Sequence, residues 1–95
     1  MYNTVIAGYS RSPFTMADKG GLVDIKPVNL LAEVIKNLIF KTKINPDQIE
    51  DVIIGCAFQV GEQCFNIGRL VTFLSSLDIK IPGMTVDRWC GSSME

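Results

Sequence analysis

Seven consecutive residues, Val52-Ile53-Ile54-Gly55-Cys56-Ala57-Phe58, carry no charged or strongly polar side chain. The run is short for a helix, and its β-branched content suits a strand. Because apolar residues occupy both odd and even positions, both faces of that strand must be covered, which is the pattern of a strand inside a parallel sheet. A parallel strand cannot be reached by a tight hairpin, so the flanking segments have to supply crossover helices.

The flanking segments have the required periodicity. Leu30, Leu31, Val34, Ile35, Leu38 and Ile39 recur at the spacing of one helical face, and Asn29 is placed to cap that helix. Asn45-Pro46-Asp47-Gln48 combines a cap, a proline at the first helical position and a glutamine placed to close a capping box, which predicts one brief helical turn. A second helix is expected from about Asn66, with Ile67, Leu70, Val71, Leu74 and Leu77 on its apolar side. Thr4 to Tyr9 reads as a first buried strand ending at Ser10 to Pro13, and Phe14 to Pro27, with Gly20-Gly21, as an ordered loop. Pro82-Gly83 closes the second crossover, and Met84 to Trp89 begins a third strand. The order strand, helix, strand, helix, strand predicts an α/β layer with right-handed parallel crossovers, in one unit over residues 1–95.

Charge narrows the partners. Nine basic and ten acidic residues are dispersed along the chain and leave a net charge of −1, so no basic face is available to neutralise phosphates and nucleic acid is not expected. The longest apolar run falls far short of the roughly 18 residues of a membrane span. The start, Met1-Tyr2-Asn3-Thr4-Val5-Ile6, has no positive region ahead of an apolar one, which points to a cytoplasmic protein without a signal peptide. Cys56, Cys64 and Cys90 are an odd number without a C-x-x-C pair, and the chain has no histidine, so free thiols are expected rather than disulfides or a zinc site. No metal or resident cofactor is predicted.

The third strand runs into Cys90-Gly91-Ser92-Ser93. Small residues directly after a strand suit a sharp strand-to-helix turn that lifts the first side chain out of the sheet, the arrangement of a nucleophile elbow. Free N–H groups at a helix start favour a thiolate, the reactive form, and the N–H of Cys90 is a candidate donor to an oxyanion. An isolated cysteine beside a strand is more often a small buried hydrophobe. Cys56 is assigned that role, Cys64 is read as a loop thiol, and Cys90 is the candidate nucleophile. Trp89 is expected to be a packed aromatic. Arg69 is read as either an anchor for a loop or subunit contact or a solvated surface arginine.

Val86-Asp87-Arg88-Trp89-Cys90-Gly91-Ser92-Ser93-Met94 is similar to the thiolase segment around the acylated cysteine. Gly61-Glu62-Gln63-Cys64-Phe65-Asn66-Ile67-Gly68-Arg69 resembles the loop and helix start preceding it in thiolases of fatty-acid oxidation. Ser10-Arg11-Ser12-Pro13-Phe14 resembles the family's opening loop, and Ile49 to Gly55 its second strand. The resemblance implies a five-layered α-β-α-β-α fold of two similar halves, of which this chain would be an amino-terminal fragment supplying three strands of a truncated first half. It implies a ping-pong acyl transfer between 3-oxoacyl-CoA, the cysteine and CoA, with coenzyme A as substrate. It further implies a homo-oligomer or a complementing chain, with Phe14 and Met16 as candidate interface residues. The family's histidine, second cysteine and asparagine-held water have no counterpart motif here, so the fragment is expected to be inactive alone; the alternative is a non-catalytic remnant or subunit-interaction piece. Condensing enzymes of fatty-acid synthesis share the fold, but the residues around Cys90 are more like those of thiolases. A papain-type site is disfavoured because its upstream glutamine and following tryptophan are not in place.

Overall fold

The computed structural model describes residues 2–95. Its architecture is mixed α/β: α1 (Pro27–Thr42), a 3-10 turn (Pro46–Gln48), β1 (Val52–Gly55), a second 3-10 turn (Gly61–Gln63), α2 (Ile67–Leu74), β2 (Gly83–Val86) and a third 3-10 turn (Ser92–Met94). β1 and β2 pair in parallel, with Val52 opposite Gly83 and Gly55 opposite Val86. The ladder is extended at its ends by Val52 N–H to Pro82 O (3.2 Å) and Cys56 N–H to Val86 O (3.0 Å). α2, the crossover between the two strands, packs on both, and α1 packs on α2.

Several expectations are corrected. Thr4 to Tyr9 is not a strand among the described elements; it runs beside α1, where Gly8 lies against Thr42 and Leu38, and Val5 and Ile6 are exposed. A β-branched run becomes a strand only when a ladder partner is adjacent. Here an open apolar cleft of ≈ 600 Å³, lined by Ala7, Gly8, Leu38, Ile39, Ile53 and Ile54 among others, separates the segment from β1. The same cleft explains why β1 is not an enclosed strand. Ile53 is exposed and its neighbours are half-buried. Both strands are also shorter than expected, four residues each, because the chain turns away at Cys56 and at Asp87.

α1 starts two residues before the expected cap. Lys26 is its N-cap without a side-chain hydrogen bond, and Pro27 is the first helical residue. Proline needs no N–H partner there and brings a preset φ, which outcompetes a cap at Asn29. The helix ends at Lys43, whose left-handed backbone (φ 55°) lets its N–H reach Ile39 O. Its predicted apolar stripe is only half-buried because Ile35, Leu38 and Ile39 line the open cleft; Ala32 is its buried residue. The brief turn at Pro46 forms as expected, with the Asn45 side chain accepting from Asp47 N–H at 3.1 Å.

α2 starts where expected, with Asn66 as its cap, yet the helix is rotated from the predicted face. The buried residues are Ile67, Gly68, Val71, Thr72 and, past the helix end, Ser75, whereas Leu70 and Leu74 are exposed. The reason is steric. A Cβ at Gly68 would lie inside 3.0 Å of the Met84 carbonyl, and a Cβ at Gly83 inside 3.0 Å of the Gly68 carbonyl. Helix and strand therefore meet backbone to backbone through two glycines, and the small-residue face of α2 turns inward. Val71, 0% exposed, fills the remaining gap and contributes about 1.5–3 kcal/mol of burial.

Asn66 holds this junction. It sits in the left-handed region (φ 57°); its amide donates to Gly83 O (3.1 Å), and its Oδ1 accepts from Thr85 Oγ1 (2.7 Å) and Arg69 N–H (3.3 Å). Thr85 Oγ1 in turn accepts from Gly68 N–H (3.0 Å). Asn66→Ala removes a cap and two cross-links from α2 to β2, and its expected cost is about 2 kcal/mol, read as a shift of the urea midpoint. An unchanged midpoint would show the network to be passive.

Of the two readings of Arg69, the loop anchor is the one found. Its guanidinium donates to the carbonyls of Ile79 (3.0 Å) and Ile81 and lies 4.4 Å from the Phe73 ring centroid. The radius of gyration is 14.0 Å, larger than the about 13 Å of a compact 100-residue domain. Much apolar surface stays open.

Candidate functional site

β2 ends at Val86, and the next six residues form the turn that carries Cys90. Asp87 Oδ1 accepts from Trp89 N–H at 2.8 Å, an aspartate bonding to the backbone two residues on. Trp89 is thereby held in the left-handed region (φ 49°), which residues other than glycine seldom adopt. Ser92 closes the turn from the other side. Its Oγ accepts from Arg88 N–H (2.8 Å) and donates to Trp89 O (2.7 Å), with Asp87 Oδ1 at 3.4 Å. The backbone adds Gly91 N–H to Arg88 O (3.0 Å) and Ser92 N–H to Trp89 O (3.2 Å).

This knot rests on β1. A Cβ at Gly55 would fall inside 3.0 Å of the Ser92 carbonyl group and the Ser93 nitrogen, so only a glycine lets the turn seat there. Ser92 is 5% exposed, whereas Cys90 is exposed to solvent. Arg88 Nε pairs with Glu95 Oε2 at 3.1 Å across an exposed surface, a contact of small energetic weight.

Cys90 is exposed on the turn that leaves β2, and the described residues after it hold a single 3-10 turn, Ser92–Met94. One expectation beside it is corrected. Trp89 is not packed. It is 76% exposed, because the left-handed backbone that reverses the chain turns its side chain away from the sheet.

The other two thiols sit apart in the chain and in environment. Cys56 is only half-buried, not core, because it lies just past β1 where the strand has ended. Its Sγ is 3.5 Å from Phe58 O. Cys64 is the expected loop thiol, half-buried after the second 3-10 turn, with Sγ donating to Gly61 O at 2.7 Å. All three are free. Phe14 and Met16 are exposed. Among the described residues no group of three or more His, Cys, Asp or Glu side chains is gathered for a metal ion, and no helix is long and apolar enough to cross a membrane.

The parts that Asp87, Ser92 and Gly55 play in holding this turn were not read from the sequence. The Asp87 pattern had a local signal, since Asp78 makes the same bond to Lys80 N–H (2.8 Å) and Asn45 to Asp47 N–H (3.1 Å). The roles of Ser92 and Gly55 depend on how the turn meets β1, which no local pattern encodes.

The arrangement matches known proteins closely. A 3-ketoacyl-CoA thiolase of Colwellia psychrerythraea is 40% identical over 96 residues, covering 100% of this chain and 25% of the relative. One of Saccharophagus degradans is 37% identical over 93 residues, covering 97% and 24%. The steroid 3-ketoacyl-CoA thiolase FadA6 of Mycobacterium tuberculosis is 42% identical over 76 residues, covering 80% and 19%. The crystal structure of the Bacillus anthracis acetyl-CoA acetyltransferase superposes with a TM-score of 0.84 at 27% identity, over 95% of this chain and 22% of that one. The chain thus spans about a quarter of the length of the curated relatives it matches. The family model of the thiolase amino-terminal domain matches residues 4–95, so this chain belongs to the thiolase family, within its amino-terminal domain.

Proposed function

We propose that this chain contributes the nucleophile-bearing segment of a thiolase-type acyltransferase, with Cys90 as the residue that is acylated. The observation carrying this reading is the exposed Cys90 thiol on a hydrogen-bonded turn at the end of β2, within the region matched by the family model. The substrate class is 3-oxoacyl-CoA, the compounds after which the relatives are named.

In the thiolytic direction, the Cys90 thiolate adds to the 3-oxo carbon. The bond between C2 and C3 breaks, its electron pair stays on C2, and protonation of C2 releases acetyl-CoA. The acyl group left on Cys90 then passes to the sulfur of a second CoA, which restores the thiolate. Sulfur suits both halves, because a thiolate attacks readily and also leaves readily. The Cys90 N–H is positioned in the sequence to donate to the oxyanion formed on addition.

This chain holds no histidine to take up and return protons. Completion of the site falls to another chain or to further polypeptide, in a homo-oligomer or a complementing pair, and the exposed Phe14 and Met16 are offered as contact residues for it. On this reading the 95-residue chain has no thiolytic turnover of its own, while the first acyl transfer still favours Cys90 over Cys56 and Cys64. The test is brief exposure to acetyl-CoA or a 3-oxoacyl-CoA, with the adduct located by peptide mass spectrometry and CoA-dependent turnover followed in parallel. An adduct dominated by Cys90 without turnover is expected. Equal labelling of the three cysteines would leave only a non-catalytic remnant, and turnover by the chain alone would overturn the need for completion.

A further inference from the structure

The carbonyl of Trp89 and the N–H of Cys90 belong to the same peptide unit. Because that unit is planar and trans, whatever fixes the direction of the carbonyl also fixes the direction in which the Cys90 N–H points. Ser92 Oγ–H donates to this carbonyl at 2.7 Å, while the same oxygen accepts from Arg88 N–H at 2.8 Å. On the other side of Trp89, Asp87 Oδ1 accepts from the N–H at 2.8 Å. Both polar groups flanking the Trp89 α-carbon are therefore gripped by side chains, and the residue is kept at φ 49°, a conformation it would otherwise leave. The Ser92 side chain is buried and its turn seated on Gly55, so the grip has a rigid support.

We infer that Ser92 and Asp87 are positioning residues that aim the Cys90 N–H at the oxyanion formed when Cys90 is acylated. Neither touches the reacting atoms. The inference rests on the reading of Cys90 as the acylated thiol, and it predicts more than local order. Transfer from acetyl-CoA adds the Cys90 thiolate to the thioester carbonyl, places negative charge on the oxygen, and then expels CoA thiolate as the new sulfur–carbon bond persists. Alkylation by iodoacetamide displaces iodide at a saturated carbon and develops no oxyanion. A residue that aims an oxyanion donor accelerates the first reaction and not the second.

The experiment compares the two rates at each cysteine of the 95-residue chain by peptide mass spectrometry. In the unsubstituted protein the ratio of acetylation to alkylation is expected to be higher at Cys90 than at Cys56 and Cys64. Ser92→Ala and Asp87→Ala should lower that ratio at Cys90 by about tenfold, less than the roughly 10²–10³ lost when an oxyanion donor is removed outright. Asp87→Asn keeps the acceptor and should recover most of the loss caused by Asp87→Ala, as Ser92→Thr should for the hydroxyl. Circular dichroism matching the unsubstituted protein identifies the variants that have folded. A Cys90 ratio unchanged in folded Ser92→Ala and Asp87→Ala overturns the inference, as does a fall of acetylation and alkylation by the same factor. No elevated ratio at Cys90 in the unsubstituted protein overturns the nucleophile reading itself, and the inference with it.

Discussion

Gly68→Ala is expected to cost about 3 kcal/mol or more, a large part of the roughly 5 kcal/mol at the lower end of small-domain stability. The added Cβ would have to occupy space held by the Met84 carbonyl, which is backbone in the middle of β2 and cannot swing aside. Relief requires either α2 to lift from the strand, exposing Val71 and Ile67, or β2 to leave its register with β1. Alanine's better helix propensity, about 1 kcal/mol over glycine, offsets only part of this. Gly21→Ala is the matched control, because nothing lies within 4 Å of its Cβ position. That substitution should be neutral or stabilising by about 0.4–1 kcal/mol through the unfolded state. Urea unfolding followed by circular dichroism distinguishes the two, and equal midpoints would contradict the backbone contact.

Cys90→Ser should remove the acyl adduct at position 90, with the rate falling by about 10⁴-fold or more, and leave labelling of Cys56 and Cys64 unchanged. An alcohol is a far weaker nucleophile than a thiol near neutral pH and depends on an adjacent base, and the chain has no histidine to serve as one. The thermodynamics also turn against the serine. An oxygen ester lies below a thioester in free energy, so any acyl group reaching the hydroxyl would not return readily to CoA. Since Cys90 is exposed and the turn is held by Asp87 and Ser92, the substitution should not move the unfolding midpoint measurably. Peptide mapping after exposure to acetyl-CoA reads the result. An adduct persisting at the same rate on the peptide containing position 90 would exclude Cys90 as its carrier.

Local chemistry was legible in the sequence where a few adjacent residues decide the outcome. The cap at Asn45 needs only a side-chain acceptor and a free N–H two residues on, and it formed as expected. The alternation of strand and helix around Val52 to Gly55 likewise emerged, as did the exposed turn at Cys90. What could not be read depends on neighbours in space. Thr4 to Tyr9 has the residues of a strand but no ladder beside it. The inward face of α2 was misjudged because periodicity follows bulk, whereas contact with β2 is governed by the absence of bulk at Gly68 and Gly83. Trp89 was expected to pack for the same reason that Leu70 and Leu74 were, and its exposure follows from a backbone angle set by Asp87. The exposed turn at Cys90 was visible, then, while the hydrogen bonds that hold its shape were not.

The parallel pairing of β1 with β2 also governs the order in which the protein assembles. Its contacts join Val52 to Gly83 and Gly55 to Val86 across the whole intervening crossover, so the entropy of closing that long loop is lost before the ladder returns anything. α1, by contrast, closes through contacts within its own turns and can form early. The Cys90 turn needs Gly55 on β1 as its seat and Val86 on β2 as its stem. The turn that carries Cys90 is accordingly completed late, after the long crossover between the two strands has closed.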